Sequence, residues 1–371
     1  MAPDATSVSA AIEVALAQAA AGSSSDAMQT VQSATAIARE LDDSSERAVA
    51  LAALAGAAAT LNDVGWLRAT LPIAIDAANA VESPTKQADL LSKLAVASAA
   101  LDSDAALAAA LRLPQDDDTL AAYKARALAE LAPLFAAQGQ WALTEQTLAA
   151  VTMGLTYYRS VGHTRVARLA PDTAARERYF ATALSVARDL EDGYFKAGAL
   201  RQVAAAKHDA SDIAAAATLY AEAVTATAAA SSAERRARAL SRIATSRADD
   251  RDYQNARGYL PRALTALEDE ERETMVLWSY YEIAGAAAFA GDAELAQTLV
   301  DKIPADTMFG KSPLRPAAER DVAFGLARHG QTARALDTAT NIVSTRERVQ
   351  ALARIARLLA DPTMASLPRY L

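Results

Sequence analysis

The chain has 371 residues, 52% of them hydrophobic but only 5% aromatic, no Cys and a formal net charge of −8. The missing Cys excludes disulfides, thiolate metal sites and Cys nucleophiles. An acidic balance without a basic stripe argues against a nucleic-acid partner, and no apolar run approaches the ~20 residues that cross a bilayer.

At the N-terminus, MAPDATS lacks the basic region and apolar core of a signal peptide. It reads as a mature N-terminus left after a removed leader, with residues 1–8 disordered. The expected setting is therefore the periplasm or cell envelope, with the cytoplasm as the alternative.

From there on the chain is Ala-rich, Leu-rich and poor in strand signals, which favours helices. A phrase ending in Leu-Ala or Ile-Ala recurs along it. Its last residues are Ala55, Ala95, Ala132, Ala170, Ala204, Ala244, Ala284 and Ala356, and the final interval holds two repeats. Small or apolar residues follow each anchor at offsets of 12, 4 and 3: Ala216, Tyr220, Ala223; Ala256, Leu260, Ala263; Ala296, Val300, Ile303; and, from Ala323, Ala335, Ala339, Ile342. Earlier repeats keep the frame more loosely, with Thr144, Leu148, Val151 after Ala132 and Leu67, Leu71, Ala74 after Ala55.

The offsets of 4 and 3 run down one face of a helix. The anchor then lies where a first helix (A) crosses its partner (B), and only small residues fit a close crossing. Gly139-Gln140, Asp252-Tyr253, Gly291-Asp292 and Gly330-Gln331 mark the turns between A and B. Heptads do not persist through these turns, which excludes a coiled coil.

Catalytic patterns are missing. His163, His208 and His329 fall in no HxxxH or HExxH spacing, so no metal site is expected. Gly310-Lys311-Ser312 lacks the first Gly of a phosphate loop, since position 305 is Ala305. Asp116-Asp117-Asp118 and Glu268-Asp269-Glu270-Glu271 read as helix-start charges and solubilising groups. A non-enzymatic protein without a cofactor is expected.

The Ala-Ala spacing resembles the tetratricopeptide repeat over roughly residues 45–360, most closely over 195–345. The chain departs from that family in lacking the helix-A Trp and the Pro that closes each repeat, and its repeats are often longer than 34 residues. A HEAT-like solenoid would stack similarly. The resemblance implies an all-α, right-handed solenoid of antiparallel helix pairs, a single domain over 1–371 with about nine to ten pairs.

It also implies a concave groove lined by the A helices. Carried onto this chain, the groove-facing positions include Arg201, Arg238, Trp278, Tyr281, Arg320, Phe324 and Arg328, along with Arg126, His208, Phe289, Gln350 and Arg357. Two long connectors, 152–164 and 304–316, add loop candidates in Tyr157, Tyr158, Met308 and Phe309. The expected role is a protein-interaction scaffold holding a peptide or partner protein in the groove. The alternative is an envelope carrier of an apolar lipid or sterol in an Ala-lined channel.

Overall fold

The computed structural model describes residues 5–151, 156–309 and 312–361. Among them are nineteen α-helices and one hairpin of two-residue strands. The chain divides into two compact units, Met1–Ala187 and Arg188–Leu371.

In the first unit the helices are α1 (Ala5–Ala20), α2 (Ser24–Arg39), α3 (Ser44–Thr60), α4 (Val64–Asn79), α5 (Pro84–Ser98), α6 (Ser103–Leu111), α7 (Asp118–Ala137), α8 (Trp141–Ala149), α9 (Thr156–Ala167) and α10 (Thr173–Arg188). In the second they are α11 (Gly193–Asp209), α12 (Ile213–Ala226), α13 (Ala233–Asp249), α14 (Tyr253–Thr265), α15 (Glu273–Phe289), α16 (Ala293–Asp301), α17 (Leu314–Arg328), α18 (Thr332–Asn341) and α19 (Thr345–Ala360). Strands β1 (Met308–Phe309) and β2 (Ser312–Pro313) pair antiparallel between α16 and α17, so the second connector is partly a hairpin.

Odd-numbered helices are the A helices and even-numbered ones the B helices. Within each unit an A helix packs on the next A helix: α3 on α5 and α5 on α7 in the first, α13 on α15 and α15 on α17 in the second. The 12-4-3 frame marks the A–B crossings. Ala204, Ala244, Ala284 and Ala323 are fully buried, as are Ala256, Leu260, Ala263, Ala296, Val300 and Ile303. Even Thr144, at an alanine position, is buried, its hydroxyl turned back to the Gln140 carbonyl at 3.1 Å. The A–A crossing of α15 and α17 is also close: a Cβ on Gly325 would lie 2.5 Å from that of Ala288.

Three of the expected anchors are displaced; one of them, Ala356 on α19, is exposed beside buried Ile355. Ala170 lies in the turn after α9. The frame there starts at Ala167 and runs through Tyr179, Ala183 and Val186, all buried. In α5 it starts at Leu94 and runs through Ala106, Ala110 and Leu113. A further repeat begins at Ala15, followed by Ala27, Val31 and Ala34, so α1 and α2 form a pair of the same kind. With it, the described residues hold nine pairs, followed by α19.

Seven residues after an anchor the backbone turns left-handed. Gly291 and Gly330 take φ of 76° and 74° there, a region that costs glycine little. Asn62, Ser211 and Arg251 occupy the same position with φ of 55°, 63° and 63°. One residue later Asp63, Asp212, Asp252 and Asp292 each accept a first-turn amide of the following B helix, satisfying an otherwise orphan donor.

Two further expectations are corrected. Helix α1 begins at Ala5, inside the stretch taken as a disordered N-terminus. Helix α9 begins at Thr156, so Tyr157 and Tyr158 stand on an A helix and not on a loop.

Candidate functional site

The groove-facing residues expected from the sequence lie mostly on α11, α13, α15 and α17 of the second unit, and the fold sorts them into two groups. In the first group, Trp278 and Tyr281 are one turn apart on α15, with ring centroids 5.2 Å apart and planes at 53°. Arg238, on α13, places its guanidinium 5.8 Å from the Trp278 ring and 5.7 Å from the Tyr194 ring of α11. These separations are in cation–π range. Glu234 holds the Arg238 head at 2.7 Å.

Sequence reading missed the rest of this cluster. Arg242 donates to the Tyr194 phenol oxygen at 2.5 Å and lies 3.6 Å from the buried Glu282 carboxylate of α15. Arg235 lies 5.7 Å from the Tyr194 ring and pairs with Asp192 at 3.1 Å. Positions 235, 238 and 242 are successive turns of one face of α13. That spacing is visible in the sequence, but the aromatic between the three arginines comes from another helix.

The second group is held by contacts within the fold. Arg328, its side chain only 5% exposed, bonds Asp249 of α13 at 2.8 Å and packs 4.4 Å from the Phe289 ring. Phe289 in turn meets Phe324 at 5.9 Å. Arg201 donates to the Ser246 hydroxyl at 2.6 Å. Burial lifts the Asp249 carboxyl to about 6 against the opposing pull of Arg328. Arg320 is also largely enclosed, pairing with Glu347 at 2.6 Å and Asp321 at 2.9 Å and reaching Gln350 at 3.2 Å. Burial opposes its charge, but the Asp321 and Glu347 carboxylates outweigh it and hold its pKa above the ordinary value. Phe324, Arg328 and Arg320 therefore tie the A helices together, and the surface available to a partner narrows to Tyr194, Arg235, Arg238, Arg242, Trp278 and Tyr281.

Of the loop candidates, Tyr157 and Tyr158 meet edge-on at 5.3 Å, and Tyr158 packs on the apolar core of α5 to α7. Burial raises the Tyr158 phenol above its usual range. Met308 is half exposed on β1. Phe309 belongs to the same strand, while Gly310 and Lys311 of the rejected phosphate loop lie outside the described residues. In the first unit, Asp104, Gln140, Trp141, Leu143 and Gln146 line a surface depression of about 560 Å³.

No family model matches the chain, and no curated protein matches it. Among solved structures it is similar to Ton1535 from Thermococcus onnurineus NA1. That match has 18% identity, covers 87% of this chain and 94% of the other, and has a TM-score of 0.31. It is also similar to a circular tandem repeat protein with novel repeat topology and enhanced subunit contact surfaces, at 14% identity, coverage of 96% and 92%, and a TM-score of 0.24. Among the described residues no helix is long and apolar enough to cross a membrane.

Proposed function

We propose that the chain is a non-enzymatic, tetratricopeptide-like scaffold that binds a protein or peptide on the A-helix face of its second unit. One observation carries this reading: an aromatic pair, Trp278 and Tyr281, with Arg238 held between Trp278 and Tyr194. Trp, Tyr and Arg are the residue types that dominate binding energy at protein interfaces. Their neighbours Glu234 and Glu282 fix the arginine heads, so little side-chain freedom is left to lose on binding. The carrier reading relied on an Ala-lined channel. The alanines at the repeat anchors are buried in helix crossings, so they support stacking and leave that reading with less to stand on.

The test is native mass spectrometry of protein purified from its own cells, followed by titration of the bound species onto wild type and onto Trp278→Ala/Tyr281→Ala. A bound polypeptide whose affinity falls by roughly 2 kcal/mol or more in the double variant supports the proposal. A bound lipid, or a polypeptide bound equally well by both proteins, overturns it.

A further inference from the structure

We propose that His208, Asp209 and Asp250 form a binding site for a divalent cation of the zinc class, at the joint between two consecutive repeats. His208 and Asp209 stand in the last turn of α11, and Asp250 caps the C-terminus of α13. One ligand atom from each lies within 4.8 Å of the others. The imidazole Nδ1 of His208 and Oδ1 of Asp250 are 3.4 Å apart. Metal–ligand bonds of ~2.0–2.2 Å in a tetrahedral zinc site place neighbouring ligands about 3.4 Å apart. Two of the three donors therefore already have the spacing of a coordination sphere. Asp209, exposed at the end of α11, supplies the third ligand atom.

The surroundings suit a cation independently of these donors. The C-terminal ends of α11 and α13 both meet here, and each brings the negative end of its dipole. The Tyr220 hydroxyl donates to Oδ2 of Asp250 at 2.6 Å, which orients the carboxylate with Oδ1 toward His208. Such an outer partner commonly steers a ligating carboxylate. The neighbouring Asp249 has its own cation in Arg328, and Arg247 is engaged by Asp252 at 2.6 Å.

An imidazole nitrogen with two carboxylate oxygens selects zinc, cobalt or nickel over calcium or magnesium, which prefer all-oxygen sets. Three protein ligands leave a fourth position for water. A bound ion would clamp α11 to α13 beside the proposed binding face. No spacing rule reveals the site in the sequence, because its ligands come from two repeats.

The test is calorimetric titration of zinc into full-length protein stripped with a chelator, at neutral pH, with the visible absorption of added cobalt as a second readout. The expected result is one ion per chain, a cobalt spectrum showing nitrogen and oxygen ligands, and at least roughly tenfold weaker binding in His208→Gln and in Asp209→Asn. Asp209 is exposed, so its variant tests the site without threatening the fold. Absence of one-to-one binding overturns the proposal, and so does wild-type affinity in both variants, which would place the ion on other surface carboxylates.

Discussion

Arg328 of α17 reaches beside α15 to bond Asp249 of α13 at 2.8 Å, joining two repeats that are not neighbours. Repeat arrays are ordinarily held by contacts between adjacent repeats alone. This bond, laid against the Phe289 ring of the intervening helix, couples three A helices into one cooperative unit. Removing one partner of a buried pair costs roughly 3–5 kcal/mol, because the other charge is left unpaired. Arg328→Ala should therefore lower the stability of the second unit by about 3 kcal/mol in urea titrations, and Arg328→Ala/Asp249→Ala should recover part of that loss. A double variant no more stable than the single one would assign the loss to packing on Phe289.

The helix crossings should not tolerate volume. Ala256 is fully buried where α14 crosses α13. Ala256→Leu adds three carbons there, and overpacking typically costs ~1–3 kcal/mol. The expected outcome is a lower melting temperature with a helical circular dichroism spectrum at low temperature. An unchanged melting temperature would contradict the repeat frame.

The left-handed turns allow a stabilising change. Ser211 takes φ of 63° where Gly291 and Gly330 stand in later repeats. A non-glycine residue pays roughly 1–2 kcal/mol for that conformation. Glycine removes this cost but loses roughly 0.5–1 kcal/mol through the greater freedom of its unfolded chain. Ser211→Gly should thus raise stability by about 0.5 kcal/mol, read as a shifted denaturant midpoint. A loss of stability would show that the serine side chain contributes contacts the turn needs.

The first unit should weaken at high pH. Tyr179 donates to the Glu145 carboxylate at 2.6 Å. Burial first, then this hydrogen bond, push its phenol up to about 12, while Arg178 pulls the other way. The folded chain keeps the proton to higher pH than the unfolded chain, whose Tyr titrates near ~10. The stabilisation is therefore intact below pH ~10 and declines as pH rises through about 12. Tyr179→Phe should flatten the stability curve over that window, and its tyrosinate absorbance should lack one group that titrates at about 12. Identical alkaline profiles for both proteins would sink the assignment.

The amino-acid sequence by itself determined the repeat. The offsets of 12, 4 and 3 record which residues a helix pair buries, and helix periodicity is local physics that needs no knowledge of neighbouring repeats. The same frame, started at Ala15, also reaches the first pair, where the Leu16-Ala17 phrase ends two residues past the crossing. The anchors at Ala95 and Ala170 went astray for the same reason: the phrase continues past the residue that makes the crossing. The tertiary structure alone decided what each polar side chain does. Arg238 and Arg328 both fall at groove-facing positions of the sequence pattern, yet one lies between two aromatic rings and the other is buried against Asp249. An arginine side chain is long and has many rotamers, so its partner is set by how successive A helices line up. That alignment depends on residues 40 to 80 positions away, such as Tyr194 for Arg242 and Asp249 for Arg328.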